Sequence, residues 1–185
     1  MIVITDSGPL MALGKLGILE LLAQLYGQVR LTTAVYAEVV VKGREWGYID
    51  ASIVEAAIQT GKLVVVEMSD AELPPDVASL PLDAGEKQTL YLALRDKVDL
   101  VLFDDLKARE EALSRGLTVK GTLGIIVQAF RAGLVTIKEV QAIVDIIIER
   151  DDIWIEAELC RQVLTNIKPT KKQTDKNKVG SCLQS

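Results

Sequence analysis

The chain has 185 residues, 49% of them apolar and only 4% aromatic, a length and composition suited to one ordinary domain of aliphatic helices and strands. Its formal net charge is -5, and the 18 residues from Lys168 onward hold five Lys and one Asp, so residues 1–167 carry -9. That balance excludes a body that binds nucleic acid by general basicity; such binding would need a local basic patch or bridging cations.

Short β-branched runs alternate with helical patterns along the chain. Ile2 to Thr5 reads as a strand, followed by one helix over about Pro9 to Tyr26, with Leu and Ile at helical spacing. Val29 to Thr32 is a second strand, and TAVYAEVVV then turns helical, ending near Lys42 and Gly43. A helix over about Ile49 to Thr60 stops at Gly61, and Leu63 to Val66 is a third strand. The polar segment SDAELPPDVASLP carries three of the five prolines and reads as a loop.

From Asp83 to about Lys97 the pattern is helical, Leu100 to Phe103 is a strand, Leu106 to Arg115 a helix, and Leu117 to Lys120 a fifth strand. Helices over about Leu123 to Ala132, Ile137 to Arg150 and Trp154 to Leu164 complete the body. Strands alternating with helices predict an α/β fold, a three-layer α/β/α sandwich around a mainly parallel sheet, in a single domain over residues 1–167. The tail at 168–185 is almost devoid of apolar residues and is expected to be disordered. No apolar run approaches the ~20 residues of a membrane helix. The start MIVITDSGP does not resemble a signal peptide, and the two cysteines, Cys160 and Cys182, offer no zinc or disulfide framework, so the expected compartment is the cytoplasm.

The carboxylates carry the functional signal. Asp6 directly follows the first strand, and Asp104 and Asp105 follow the fourth, so in a parallel sheet they share the edge where ligands gather. Each alone has a bland role: Asp6 with Ser7, or Asp104, as a helix cap, with Asp105 favoured by the helix dipole. Glu38 projects between Ala34, Val35 and Val41, inside the apolar arc of its helix, and Glu86 shares an arc with Leu90, Ala93 and Leu94. For Glu86 a capping box with Asp83 is an equally good account. The chain contains no His, so imidazole sites are excluded. Acids gathered at one edge call for a hard divalent cation, Mg2+ or Mn2+, which would bind a phosphodiester and generate hydroxide for in-line attack.

With ITDSGPLMAL (Asp6), AVYAEVV (Glu38), LDAGEKQTLYLAL (Glu86) and LVLFDDLKAREEALSRGLTVKGTLG (Asp104, Asp105) in this order, the chain resembles the PIN-domain family over about residues 1–135. That family of metal-dependent ribonucleases includes the toxins of toxin-antitoxin pairs. The resemblance implies a Mg2+ or Mn2+ site made by Asp6, Glu38, Glu86 and Asp105 with Asp104 beside them, and Ser7 and Thr122 as supporting or phosphate-contacting hydroxyls. It further implies RNA as substrate, a homodimer and a small antitoxin partner. Glu86 stands where many relatives carry Asp, and Phe103 where a small hydroxyl residue is common.

Lys107, Arg109 and Lys120 flank the expected site, with Lys107 nearest the acids, and the free amides of Gly121 to Gly124 would suit a phosphate. Two other readings compete: a catalytically degenerate PIN-like binding module, and a receiver-like phosphoacceptor domain using the paired aspartates with Mg2+.

Overall fold

Five short strands, β1 (Val3–Thr5), β2 (Val29–Thr32), β3 (Leu63–Val66), β4 (Leu100–Leu102) and β5 (Val119–Lys120), pair in parallel throughout, in the order β3-β2-β1-β4-β5. In this computed structural model, residues 1–167 are described; the basic tail and Cys182 lie outside them. All five strands fall where β-branched runs predict them. The expected α/β architecture with helices flanking a parallel sheet is the one observed.

The chain forms two compact units, Met1–Thr122 and a second beginning at Leu123. In the first, α1 (Ser7–Lys15) and α2 (Glu20–Tyr26) replace the single helix expected over Pro9 to Tyr26. Gly17 adopts a left-handed φ of 68° between them, and the two axes differ by 120°. Helical spacing runs on across such a break, so periodicity alone does not register it. Next come α3 (Thr33–Tyr36), a π-helical turn at Ala37–Lys42, α4 (Gly43–Glu45) and α5 (Ile49–Gln59). The segment expected to be loop contains a short 3-10 turn at Asp70–Glu72, closed by a capping box with Ser69, and α6 (Pro75–Ala78), started by Pro75 in its first turn. Then follow α7 (Ala84–Arg95) and α8 (Leu106–Ser114).

α1 packs on α5, and α7 on α8. Gly14 permits the first contact, since a Cβ there would stand 2.9 Å from the Asp50 Cβ. Ile4, Val101 and Phe103 join Leu90, Ala93 and Ala108 of α7 and α8 in one buried cluster. Phe103 is fully buried there, which accounts for a large apolar residue just before the acidic pair.

The second unit holds most of α9 (Thr122–Arg131), then α10 (Ile137–Glu149) and α11 (Ala157–Asn166). A Thr136–Glu139 capping box starts α10, which packs on α11. The last helix begins at Ala157, later than expected, and Trp154 is left outside it and 89% exposed. Cys160 is a buried free thiol whose pKa is raised by burial. Among the described residues no single helix is long and apolar enough to cross a membrane.

Candidate active site

The strand order reverses direction at β1, whose neighbours β2 and β4 lead to opposite edges of the sheet. The crevice beyond the carboxyl ends of β1 and β4 is therefore the topological switch point, where open α/β sheets take their ligands. Asp6 follows β1 there and donates its backbone N–H to the Leu102 carbonyl at 3.0 Å, tying it to the end of β4.

Asp6 occupies the N-cap position of α1 with extended backbone, φ -86° and ψ 177°, yet its carboxylate makes no capping bond. The residue is 4% exposed, and its Oδ1 has no hydrogen-bond partner. Burial, then the charges of Asp83, Glu86 and Glu38, push its pKa well above the usual carboxylate range, against the pull of the Ser7 backbone N–H on the carboxylate. The single proton of the Ser7 hydroxyl is shared between Asp6 Oδ2, at a long 3.5 Å, and the Glu38 carboxylate.

Glu38 reaches the site from the π-helical turn Ala37–Lys42. One extra residue in that turn shifts the helical phase: Val35, Val39 and Val40 are buried, Val41 is 43% exposed, and Glu38 is half-buried. The regular apolar arc expected around Glu38, with Val41 in it, is thus corrected, while Glu38 still turns toward the site. Its pKa is raised, by burial first and Asp83 second. Gln88 fixes this helix against α7, accepting the Ala34 N–H at 3.1 Å while donating to Asp70 at 2.7 Å.

Glu86 and Asp83 form the capping box of α7: Glu86 N–H donates to Asp83 Oδ1 at 2.8 Å, and Asp83 N–H donates to Glu86 Oε2 at 2.9 Å. Glu86 is 8% exposed, and its pKa is raised by burial, opposed by the Asp83 N–H bond, with Asp83, Asp105 and Glu38 adding repulsion. Between the two acids sits Gly85. A Cβ on it would lie 3.3 Å from Asp6 Oδ1, 3.4 Å from Asp83 Oδ1 and 3.4 Å from Glu38 Oε2. Three carboxylate oxygens from three segments thus surround one small space that only glycine leaves open.

The aspartates after β4 part company. Strand pleating sends alternate side chains to opposite faces, so Val101, Phe103 and Asp105 follow one parity and Leu102 and Asp104 the other. Asp105 is exposed, caps α8 by accepting the Ala108 N–H at 2.9 Å, and repels Glu86. Asp104 turns toward α1, with its Cβ 3.2 Å from where a Gly8 Cβ would be. It accepts the Thr122 N–H at 2.7 Å and the Thr122 hydroxyl at 2.6 Å. Its pKa is raised by burial, against the pull of Thr122 and the Arg109 charge. Asp104 therefore ties the end of β4 to Thr122 just after β5, and the Thr122 amide is engaged rather than open to a phosphate.

A family model described as PIN domain matches residues 2–169. The chain belongs to the PIN-domain family. PIN domains are typically nucleases and generally bind divalent metals, and the acidic edge described here lies where this fold places a ligand. No curated protein matches the chain.

In this PIN domain the donor set is all oxygen, and the buried, unpartnered Asp6 Oδ1 is the atom most in need of a cation, so the residues suit a hard divalent cation. Among the described residues, no three acidic groups close into a finished ligand cage. Like charges resist closer approach than this unless a cation lies between them.

Of the basic residues, Arg109 donates to the Phe103 carbonyl at 3.2 Å, Lys120 lies 5.7 Å from the Tyr26 ring centre, and Lys107 is exposed on the first turn of α8. Sequence reasoning assigned Asp83 to helix capping alone and missed that its carboxylate also faces Asp6 and Glu38. The available signal was the spacing Asp83-Ala-Gly85-Glu86, in which a glycine follows the cap inside the first helical turn.

Proposed function

We propose that this PIN domain is a metal-dependent endoribonuclease that hydrolyses RNA phosphodiester bonds. The observation that carries the reading is the buried, unpartnered Asp6 Oδ1 facing Glu38 and Asp83 across the space at Gly85. Nothing in ordinary folding rewards an orphan carboxylate oxygen at a switch point, whereas a cation-binding centre requires one.

Asp6 and Glu38 would hold Mg2+ or Mn2+, with Glu86 and Asp105 adding negative charge toward the exposed side. When bound, such an ion supplies Lewis-acid stabilisation of the phosphate and a water of lowered pKa. Ser7 orients Asp6 and Glu38 through its hydroxyl, and Glu38, half-buried, is placed to hold the attacking water. Asp6 lies at the buried inner end of the site, and exposed Asp105, followed two residues later by exposed Lys107, at its outer side. Lys107 offers a compact positive charge to a phosphate arriving there.

The resemblance to toxin components extends the proposal to a toxin held inactive by a small antitoxin and acting as a homodimer. The test is cleavage of a panel of end-labelled RNAs with Mg2+, Mn2+ or EDTA, comparing the native protein with folded Asp6→Asn. Metal-dependent cleavage that disappears in the variant supports the nuclease. A native protein that binds metal and RNA but leaves every RNA intact would favour the degenerate binding module, the reading that the absence of a closed cage among the described residues keeps in play.

A further inference from the structure

We propose that Asp83 is an ionic member of the cation seat, standing with Asp6 and Glu38 around the space at Gly85. The inference rests on the metal-dependent reading above and adds one acid to it. Three observations carry it.

First, Asp6 Oδ1 is buried, lacks any hydrogen-bond partner, and lies 3.3 Å from the Gly85 Cβ position. Second, two further carboxylate oxygens stand near that position, Asp83 Oδ1 and Glu38 Oε2, each at 3.4 Å. Third, the Asp83 carboxylate can join the seat without disturbing the capping box that starts α7. Its Oδ1 accepts one N–H, from Glu86, and a carboxylate oxygen has a second lone pair. That same N–H bond holds the carboxylate in one orientation, as supporting hydrogen bonds do for ligands in metal sites.

The chemistry of the two positions also differs. Asp83 is exposed while Asp6 is buried, so the seat grades from an inner, dry oxygen to an outer, wet one. The exposed Asp83 side is the one from which water and a phosphodiester can arrive. Gly85 is the residue that makes the arrangement possible, because any side chain there would occupy the shared space.

The experiment is a Mn2+ titration of the full-length native protein and Asp83→Asn, read by the electron paramagnetic resonance of the free ion after circular dichroism has verified folding. Asn caps a helix about as well as Asp, so the variant removes charge and keeps the helix start. Asp83→Asn is expected to raise the dissociation constant at least about tenfold. Native-like binding by Asp83→Asn overturns the proposal while leaving the metal-dependent nuclease standing. A native protein that takes up no Mn2+ overturns both. A second readout needs no metal: in EDTA, Asp83→Asn should melt at a higher temperature than the native protein, because it relieves repulsion with Asp6 and Glu38. An unchanged or lower midpoint would also overturn the proposal.

Discussion

The junctions that follow β1 and β4 are built alike and used differently. In each, a buried strand ends, an aspartate takes extended backbone at an N-cap position, and a nine-residue helix begins. Asp105 spends its carboxylate on the cap, accepting the Ala108 N–H at 2.9 Å, whereas Asp6 makes no capping bond and leaves Oδ1 without a partner. The same residue in the same local setting is therefore a fold element in one place and a candidate ligand in the other. What separates them is the surroundings: Asp6 is 4% exposed and shares its neighbourhood with Asp83 and Glu38, while Asp105 is open to solvent.

The largest expected effect lies at the unsatisfied junction. Asp6→Asn should lower metal-dependent RNA cleavage by more than about 100-fold, measured under single turnover, because it removes the innermost charge of the seat. Retention of full cleavage would erase the difference drawn between the two junctions. Next in size, Gly85→Ala should weaken Mn2+ binding about tenfold, since the new methyl occupies the space shared by three carboxylate oxygens. Alanine is a better helix former than glycine, so this loss should come without loss of helix by circular dichroism.

A third test concerns the chain neighbour that faces the other way. Asp104→Ala should cost about 1–3 kcal/mol in urea unfolding, because it strands the buried Thr122 N–H and hydroxyl. Its effect on the Mn2+ dissociation constant should stay below about threefold; a larger loss would place Asp104 among the ligands rather than among the braces.

The pH dependence follows from Asp6, Glu38 and Glu86, whose pKa values are all raised, by burial first and by mutual repulsion after it. In the unfolded chain such groups titrate near about 4, so between there and their raised values the folded chain binds more protons. Stability without metal should consequently fall as pH rises through that window and recover as pH is lowered back toward it. Melting scans in EDTA between neutral pH and about pH 5 should show this trend, and Asp6→Asn should flatten it. The smallest expected change is that of Asp105→Asn on stability, within about 0.5 kcal/mol, because Asn caps as Asp does.

The strands were legible because β-branched runs bounded by polar or glycine residues leave little choice of structure, and all five appear in parallel register. Helix breaks were less legible. Periodicity runs straight past Gly17, and nothing in AVYAEVVV announces that the turn at Ala37–Lys42 is π rather than α. The capping box at Asp83 and Glu86 could be read from its spacing, and it is present. Its second face toward Asp6 could not be read, because that depends on where a distant strand ends.

By itself, the sequence determined the chemical vocabulary of this protein: no imidazole, few aromatics, and acids at the ends of strands and the starts of helices, where local backbone rules place them. Tertiary structure decided which of those acids meet. Strand parity turned Asp104 to Thr122 and Asp105 toward Glu86, and the reversal of strand order at β1 brought Asp6, Glu38 and Asp83 to one small space at Gly85. Local rules act over a few residues, whereas the repulsion and burial that distinguish a ligand from a cap arise between segments that only the folded sheet makes neighbours.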